Sequence, residues 1–301
     1  MENTDFEVIV IGGSYAGLSA AMSLGRSLRK TLLIDSGKPC NAQTPHSHNF
    51  LTQDGQTPKQ IALVGKEQVS NYPTIHFYDG LATNGQKTDA GFEISTAAGD
   101  TFSAKKLIFA TGLKDQMPDM RGYAECWGIS VIHCPYCHGY EVKHEKTGIL
   151  GNGEAGFEYA KLISNWTKDL TIFTNSPATF TPEQTEKLSG HRIRIVEKVI
   201  AELVHENGKV AKIIFDDHSE EQITAIYSRP VFKQHSDIPE QLGCALTENG
   251  LLKLETFQQT SVPGIYAAGD NSHMARSVAM AVSAGSMAGA LINRELIEEA
   301  F

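Results

Sequence analysis

Apolar and polar positions along the chain fall into blocks that repeat one order of elements twice. Residues 7–11 form a short apolar run, followed by a glycine turn, a stretch with helical apolar spacing from about 16 to 28, and a second apolar run at 31–35. Short apolar runs bounded by glycine predict buried strands, and a segment of 3.6-residue periodicity between them predicts a helix, which together make one βαβ unit. The order returns as a strand at 147–150, a turn at 151–156, a helix from about 157 to 166 and a strand at 170–174. Between the two units, 92–96 and 101–109 predict hairpin strands around Ala98-Gly99-Asp100, closing with Ala110-Thr111-Gly112. A second hairpin, 201–215, turns at Glu206-Asn207-Gly208, a strong local turn signal. Residues 228–250, rich in Pro, Gly and polar side chains, predict a linker to a last strand at 264–268 and a closing helix that begins near Arg276.

This order predicts an α/β chain with two Rossmann-like nucleotide-binding domains of three-layer ββα form, the second inserted into the first. The first domain takes residues 1–114 and 246–301, and the second takes 115–245. A length of 301 residues suffices for two such cores. The net charge of −9 repels phosphate backbones and anionic lipid, so neither nucleic acid nor a membrane is an expected partner. Residues 277–292 are the most apolar stretch, but they are too short and too rich in small side chains to span a bilayer. The acidic start, residues 1–5, lacks the features of an export signal. Five cysteines, an odd number with a single close pair, fit a reducing cytoplasm and one functional pair.

Two glycine turns and the cysteine pair carry the candidate chemistry. Gly12-Gly13-Ser14-Tyr15-Ala16-Gly17 lies between strand and helix, where backbone N–H groups at a helix N-terminus face a pyrophosphate. Ser14 replaces the middle glycine. Asp35, at the end of the second strand, can accept hydrogen bonds from ribose hydroxyls. Gly151, Gly153 and Gly156 form a full GxGxxG in the second unit, a candidate nicotinamide nucleotide site. The position that reads the ribose there holds Thr174-Asn175-Ser176-Pro177, with neither the carboxylate of an NADH site nor the arginines that a 2′-phosphate needs. NAD(P)H use therefore stays open.

Cys134-Pro135-Tyr136-Cys137 has the two-residue spacing of a reversible disulfide, with Pro135 suited to the first position of a helical turn whose dipole would lower a thiolate pKa. A zinc site would draw on Cys134, Cys137 and His133 or His138, but no second CxxC or paired histidines follow at ligand spacing, so no metal is expected. A thioredoxin fold and two inert buried cysteines are the other readings. Cys40, Cys126 and Cys244 read as packing residues.

These motifs, with residues 262–270 as a strand ending in Gly269-Asp270, resemble the low-molecular-weight thioredoxin reductases among the pyridine nucleotide–disulfide oxidoreductases, over nearly the whole chain. The resemblance implies FAD as cofactor. It implies cofactor contacts at Gly12, Gly13, Ser14, Tyr15, Ala16, Gly17, Asp35, Ser36, Asn49, Thr111, Gly112, Asp270, Arg276 and Ser277. The family's Arg-Gln at the start of the last helix is Arg276-Ser277 in this chain. Cys137 would face the flavin and Cys134 would attack the outside disulfide. Reductases of the family carry Asp after the second cysteine as acid–base, and here His138 takes that place, with an ordinary pKa near neutrality. The Cys-x-x-Cys-His-Gly-Tyr-Glu stretch is also similar to dithiol oxidases that pass electrons to oxygen. The expected partners are a thioredoxin-like protein or a small-molecule disulfide or dithiol, in a homodimer. The alternatives are a dithiol oxidase and a flavin redox sensor without turnover.

Overall fold

The computed structural model describes residues 5–301. Met1–Thr4, most of the acidic start considered above, lie outside the described residues. The chain divides into two units, one of residues 1–42, 50–114 and 232–301, the other of 43–49 and 115–231.

The first unit is built on a parallel sheet in the order Ile265–Ala267, Thr101–Phe109, Phe6–Ile11, Thr31–Asp35, Ile75–Asp79. Strand Phe6–Ile11 sits at the centre, and Val8, Ile9 and Val10 are fully buried, as expected for a strand covered on both faces. One face packs Val8, Val10 and Leu33 against helix Tyr15–Arg26 and the closing helix Val278–Ala300, through Ala20, Ala21, Ala284 and Ala288. Small residues allow these helices to approach closely: a Cβ on Gly285 would stand 2.0 Å from the carbonyl oxygen of Ala16. The other face packs Ile9, Leu32 and Leu107 against Phe92, Ile94, Ile238 and Leu242. It is covered in part by strand Gly91–Thr96, antiparallel to Thr101–Phe109, and by strand Ala82–Thr88, antiparallel to Gly91–Thr96.

The second unit has a parallel five-stranded sheet in the order Arg194–Val196, Leu170–Phe173, Thr147–Leu150, Ala225–Ser228, Val131–Ile132. Helices Gly153–Ile163 and Pro182–Gly190 contribute Phe157, Ala160, Ile163 and Leu188 to one core. A three-stranded antiparallel sheet, Ile200–Glu206, Lys209–Phe215 and Glu220–Gln222, contributes Leu203, Ile213 and Phe215 to another. Its hairpin turns at Asn207 and Gly208, both with positive φ, 51° and 79°, the conformation that an Asn-Gly hairpin turn requires.

Four expectations need correction. Residues 228–250 are more than a linker: Phe232–Gln234 is a strand paired with Leu113–Asp115, and Ile238–Gln241 is a short helix whose Ile238 lies in the core. Consequently the chain re-enters the first unit at Phe232, ahead of the expected residue 246. The helix expected from 157 starts at Gly153, inside the glycine turn, because the turn residues themselves form its first coil. The closing helix starts at Val278, because the side chain of Ser277 caps it and keeps an extended backbone there.

Candidate active site

In the first unit the glycine turn is shaped by backbone contacts that no other residue allows. Gly12 has φ of +104°, and a Cβ there would stand 2.3 Å from the carbonyl oxygen of Ala110. On Gly17 it would stand 1.7 Å from the carbonyl oxygen of Gly12, so the helix can reach the strand only through glycine. Gly13 donates its N–H to Asp35 Oδ1 at 3.1 Å, and a Cβ on Gly13 would lie 2.7 Å from the Asp35 side chain. Ser14 is the N-cap of helix Tyr15–Arg26 and makes no side-chain capping bond, leaving that place to an incoming acceptor. Leu18, Leu33, Asp35, Lys66, Phe77, Tyr78 and Asp79 surround Gly13 at the strand ends. The backbone N–H groups of the turn suit a diphosphate and the Asp35 carboxylate suits a ribose.

Around this turn, the Tyr15 hydroxyl donates to the Pro58 carbonyl at 3.3 Å and accepts from Asn41 at 3.2 Å. Ala16 is buried under the closing helix, and Ser36 follows strand Thr31–Asp35 directly. Thr111 and Gly112 follow strand Thr101–Phe109, with Gly112 at φ +64°. Thr111 Oγ1 accepts a 3.4 Å bond from Asn271, whose own Oδ1 is buried without a partner among the described residues. Asp270 is held by Arg276 Nε at 3.4 Å, and Ser277 Oγ accepts from Met280 N–H at 3.2 Å. The first unit therefore gathers every expected cofactor contact except Asn49, which has φ of 60° and belongs to the segment Gln43–Asn49 in the second unit. Asn271 was not singled out from sequence, although it stands directly after Gly269-Asp270.

In the second unit Cys134 and Cys137 form a disulfide, with Cα atoms 5.3 Å apart. Cys134 is the N-cap of the single helical turn Pro135–His138, and the Cys137 and His138 N–H groups both donate to the Cys134 carbonyl, at 3.2 and 3.1 Å. The single turn has Pro135 at its first position, as the sequence predicts. The surroundings are aromatic: Trp127 stacks on His133 at 6.1 Å, and Tyr136 meets Trp166 edge-on at 5.4 Å. Tyr159 donates to the His133 carbonyl at 2.5 Å. Gly139 is required, since a Cβ there would reach 2.5 Å from the Pro135 carbonyl and 2.9 Å from the Tyr227 hydroxyl.

His138 is half-buried, and desolvation lowers its pKa below the ordinary 6.5; nearby Glu141 pulls it up and His48 pushes it down. The imidazole is thus mainly neutral at pH 7 and able to take a proton. Glu141 also pairs with His48 at 3.5 Å, two partners not foreseen from sequence because His48 lies ninety residues before His138. Buried Cys126 and Cys244 have raised pKa values caused first by desolvation, as inert thiols do. Among the described residues there is no group of three His, Cys, Asp or Glu able to hold a metal, and no helix long and apolar enough to cross a membrane.

The second glycine turn opens helix Gly153–Ile163, with Asn152 as its N-cap, and the segment after strand Leu170–Phe173 folds back toward it. Thr174 Oγ1 donates to the Ser176 carbonyl at 2.6 Å, and Asn175 Oδ1 accepts from Ile200 N–H at 2.7 Å.

Known proteins share this fold. The model of the family described as "Pyridine nucleotide-disulphide oxidoreductase" matches residues 6–288. "Thioredoxin reductase tcpT" of Claviceps purpurea (strain 20.1) is 34% identical, with 97% of this chain and 95% of that protein covered. An oxidoreductase from Agrobacterium tumefaciens is 36% identical with a TM-score of 0.91, covering 97% of this chain and 98% of the other. A putative thioredoxin reductase TrxB from Bacillus anthracis is 31% identical with a TM-score of 0.93, covering 98% of this chain and all of the other. A matching fold, a disulfide of two-residue spacing and a family match across both units have one reading: the chain belongs to the pyridine nucleotide-disulphide oxidoreductase family and is an oxidoreductase acting on disulfides.

Proposed function

We propose that this protein is an FAD-dependent, thioredoxin-reductase-like enzyme that moves electron pairs between flavin and a substrate disulfide through Cys134 and Cys137. The observation that carries the reading is the Cys134–Cys137 disulfide followed directly by a half-buried histidine of lowered pKa. In this reading the unit built from both chain ends holds FAD. Support comes from the glycines whose Cβ atoms would fill the turn, the Gly13–Asp35 bond and the unpartnered Asn271 Oδ1. When bound, FAD supplies a two-electron redox couple. The inserted unit carries the redox pair, and the enzyme works as a cytoplasmic homodimer.

In the reductive direction the Cys134 thiol gives its proton to neutral His138 and its sulfur attacks the substrate disulfide. One substrate sulfur leaves and takes the proton back from His138. Cys137 then attacks Cys134 in the mixed disulfide, releasing the second substrate thiol and re-forming Cys134–Cys137. The substrate gains two electrons and two protons, which the protein dithiol loses. A thioredoxin-like protein or a small-molecule disulfide is the acceptor.

One observation favours a second reading, with opposite flow. The segment Thr174-Asn175-Ser176-Pro177 lacks the cations of an NADPH site, so a substrate dithiol, itself closed to a disulfide, can be the source of electrons, and oxygen their acceptor with hydrogen peroxide as product. The test is anaerobic mixing of the yellow protein with NADPH, NADH or a dithiol while the flavin absorbance is followed. Bleaching by a nicotinamide nucleotide supports the reductase, and bleaching by dithiol alone followed by oxygen uptake supports the oxidase. A colourless protein that takes up no FAD refutes both.

A further inference from the structure

The two glycine turns have the same length and opposite contents. At the second position the first turn has Gly13, with no side chain, and the carboxylate of Asp35 lies at the strand end to meet a ribose. The second turn has Asn152 there, and its side chain is fully engaged. Asn152 Oδ1 accepts from Gly153 N–H at 2.8 Å, from Thr179 N–H at 2.9 Å and from the Thr179 hydroxyl at 3.2 Å. Its Nδ2 donates to Ser176 Oγ at 3.1 Å and to the Pro177 carbonyl at 2.9 Å. One side chain therefore ties the N-terminus of helix Gly153–Ile163 to the segment that follows strand Leu170–Phe173. In a dinucleotide site those are the two places that the diphosphate and the adenosine ribose bridge.

The segment is fastened from its other sides as well. Ala178 N–H donates to Glu197 at 3.0 Å, Asn175 holds Ile200, and Thr181 and Gln184 form a capping box. Gln184 also donates to Glu154 at 2.5 Å, so two carboxylates, Glu154 and Glu197, are bound to the helix start and to the segment that follows the strand. Three cations of neighbouring elements pair with carboxylates: Lys161 with Glu158, Arg194 with Glu221 and Lys198 with Asp217. Thr179 closes the turn from above, since a Cβ on Gly153 would stand 2.8 Å from its hydroxyl.

We propose that the second glycine turn is occupied by the chain itself, Asn152 and residues 174–179 holding the places of the diphosphate and ribose, so that neither NADPH nor NADH binds there. The closure holds whichever way electrons flow through Cys134 and Cys137. It makes the inserted unit a carrier of the redox pair rather than a nucleotide receptor, and it requires the reductant to be recognised elsewhere.

The test is titration of the purified, flavin-loaded full chain with NADPH and with NADH, by calorimetry and by nicotinamide fluorescence, beside the variant Asn152→Gly, Glu154→Ser, Thr179→Gly. The wild type is expected to show no saturable binding up to about 1 mM, the upper end of ordinary enzyme affinities. The folded variant is expected to bind at least about tenfold more tightly than the wild type. Wild-type binding below about 100 μM, inside the range of working nicotinamide enzymes, overturns the proposal even if the variant does not fold. A folded variant that gains nothing overturns Asn152 and its contacts as the cause. Calorimetric heat does not depend on flavin reduction, so a failure here is distinct from a failure of the flavin assignment, which is read from the colour of the protein.

Discussion

Replacing His138 by Gln removes the group proposed to move the proton during disulfide exchange. At its ordinary pKa of 6.5 an imidazole is already about three-quarters neutral at pH 7, and the desolvation that lowers His138 raises that fraction further. Most of the population is then competent as a base, so its loss should be felt. A positioned general base is worth about 10²- to 10⁴-fold, or about 3–5 kcal/mol in the barrier. Stopped-flow reduction of the disulfide by a dithiol, followed through the flavin spectrum from pH 5 to 8, measures it. The wild type should lose rate on an acid limb lying below 6.5. His138→Gln should be slower by about a hundredfold or more and should lack the limb. Because Glu141 raises the His138 pKa, Glu141→Gln should move the limb to still lower pH, and because His48 lowers it, His48→Gln should move it up. A His138→Gln enzyme with the wild-type rate and pH profile would refute the assignment.

Other substitutions probe the remaining parts. Cys137→Ser and Cys134→Ser should each abolish exchange with substrate while FAD stays bound, and Cys134→Ser should leave a thiol at 137 that alters the flavin absorption; full turnover in either variant contradicts the roles. Gly17→Ala pushes a Cβ to within 1.7 Å of the Gly12 carbonyl oxygen, and it should cost about 3 kcal/mol or more and release flavin, measured by thermal melting and by protein colour. Ser277→Ala removes the cap on Met280 N–H and should cost about 1 kcal/mol of stability in denaturant. The lowered His138 pKa also links to folding: below 6.5 the unfolded chain binds the extra proton first, so this contribution to stability is complete above 6.5 and is lost as pH falls through the folded value. Between pH 8 and pH 5 the melting temperature of wild type should therefore fall relative to that of His138→Gln.

Much of the fold was legible because the glycines and the apolar runs agree. Thr31–Asp35 and Thr147–Leu150 match the apolar runs at 31–35 and 147–150, and Asn207-Gly208 turns the hairpin where that dipeptide allows positive φ. The helix and strands within residues 37–91 were not legible for a physical reason. Strand Ala82–Thr88 buries only Ala82 and Gly85, so it leaves no alternation to read. Helix Pro58–Ser70 buries only Pro58, Ile61 and Val69, although Thr57 before Pro58 was a cap signal that could have marked it. The cysteine pair could be found by spacing, whereas the Glu141–His48 pair depends on a contact between residues far apart in the chain. The second glycine turn looked the better formed of the two. Its Asn152 fits the pattern as a letter, and only the path of residues 174–179 turns that letter into a plug.

The central claim is that flavin and the Cys134–Cys137 disulfide form one electron store. Anaerobic titration of the purified protein with dithionite, counting equivalents against flavin, tests it most directly. The account predicts uptake of about four electrons per chain, about two for the disulfide couple and two for the flavin, falling to about two in the double variant Cys134→Ser, Cys137→Ser. Uptake of only two electrons by the oxidised wild type, equal to that of the double variant, would contradict it.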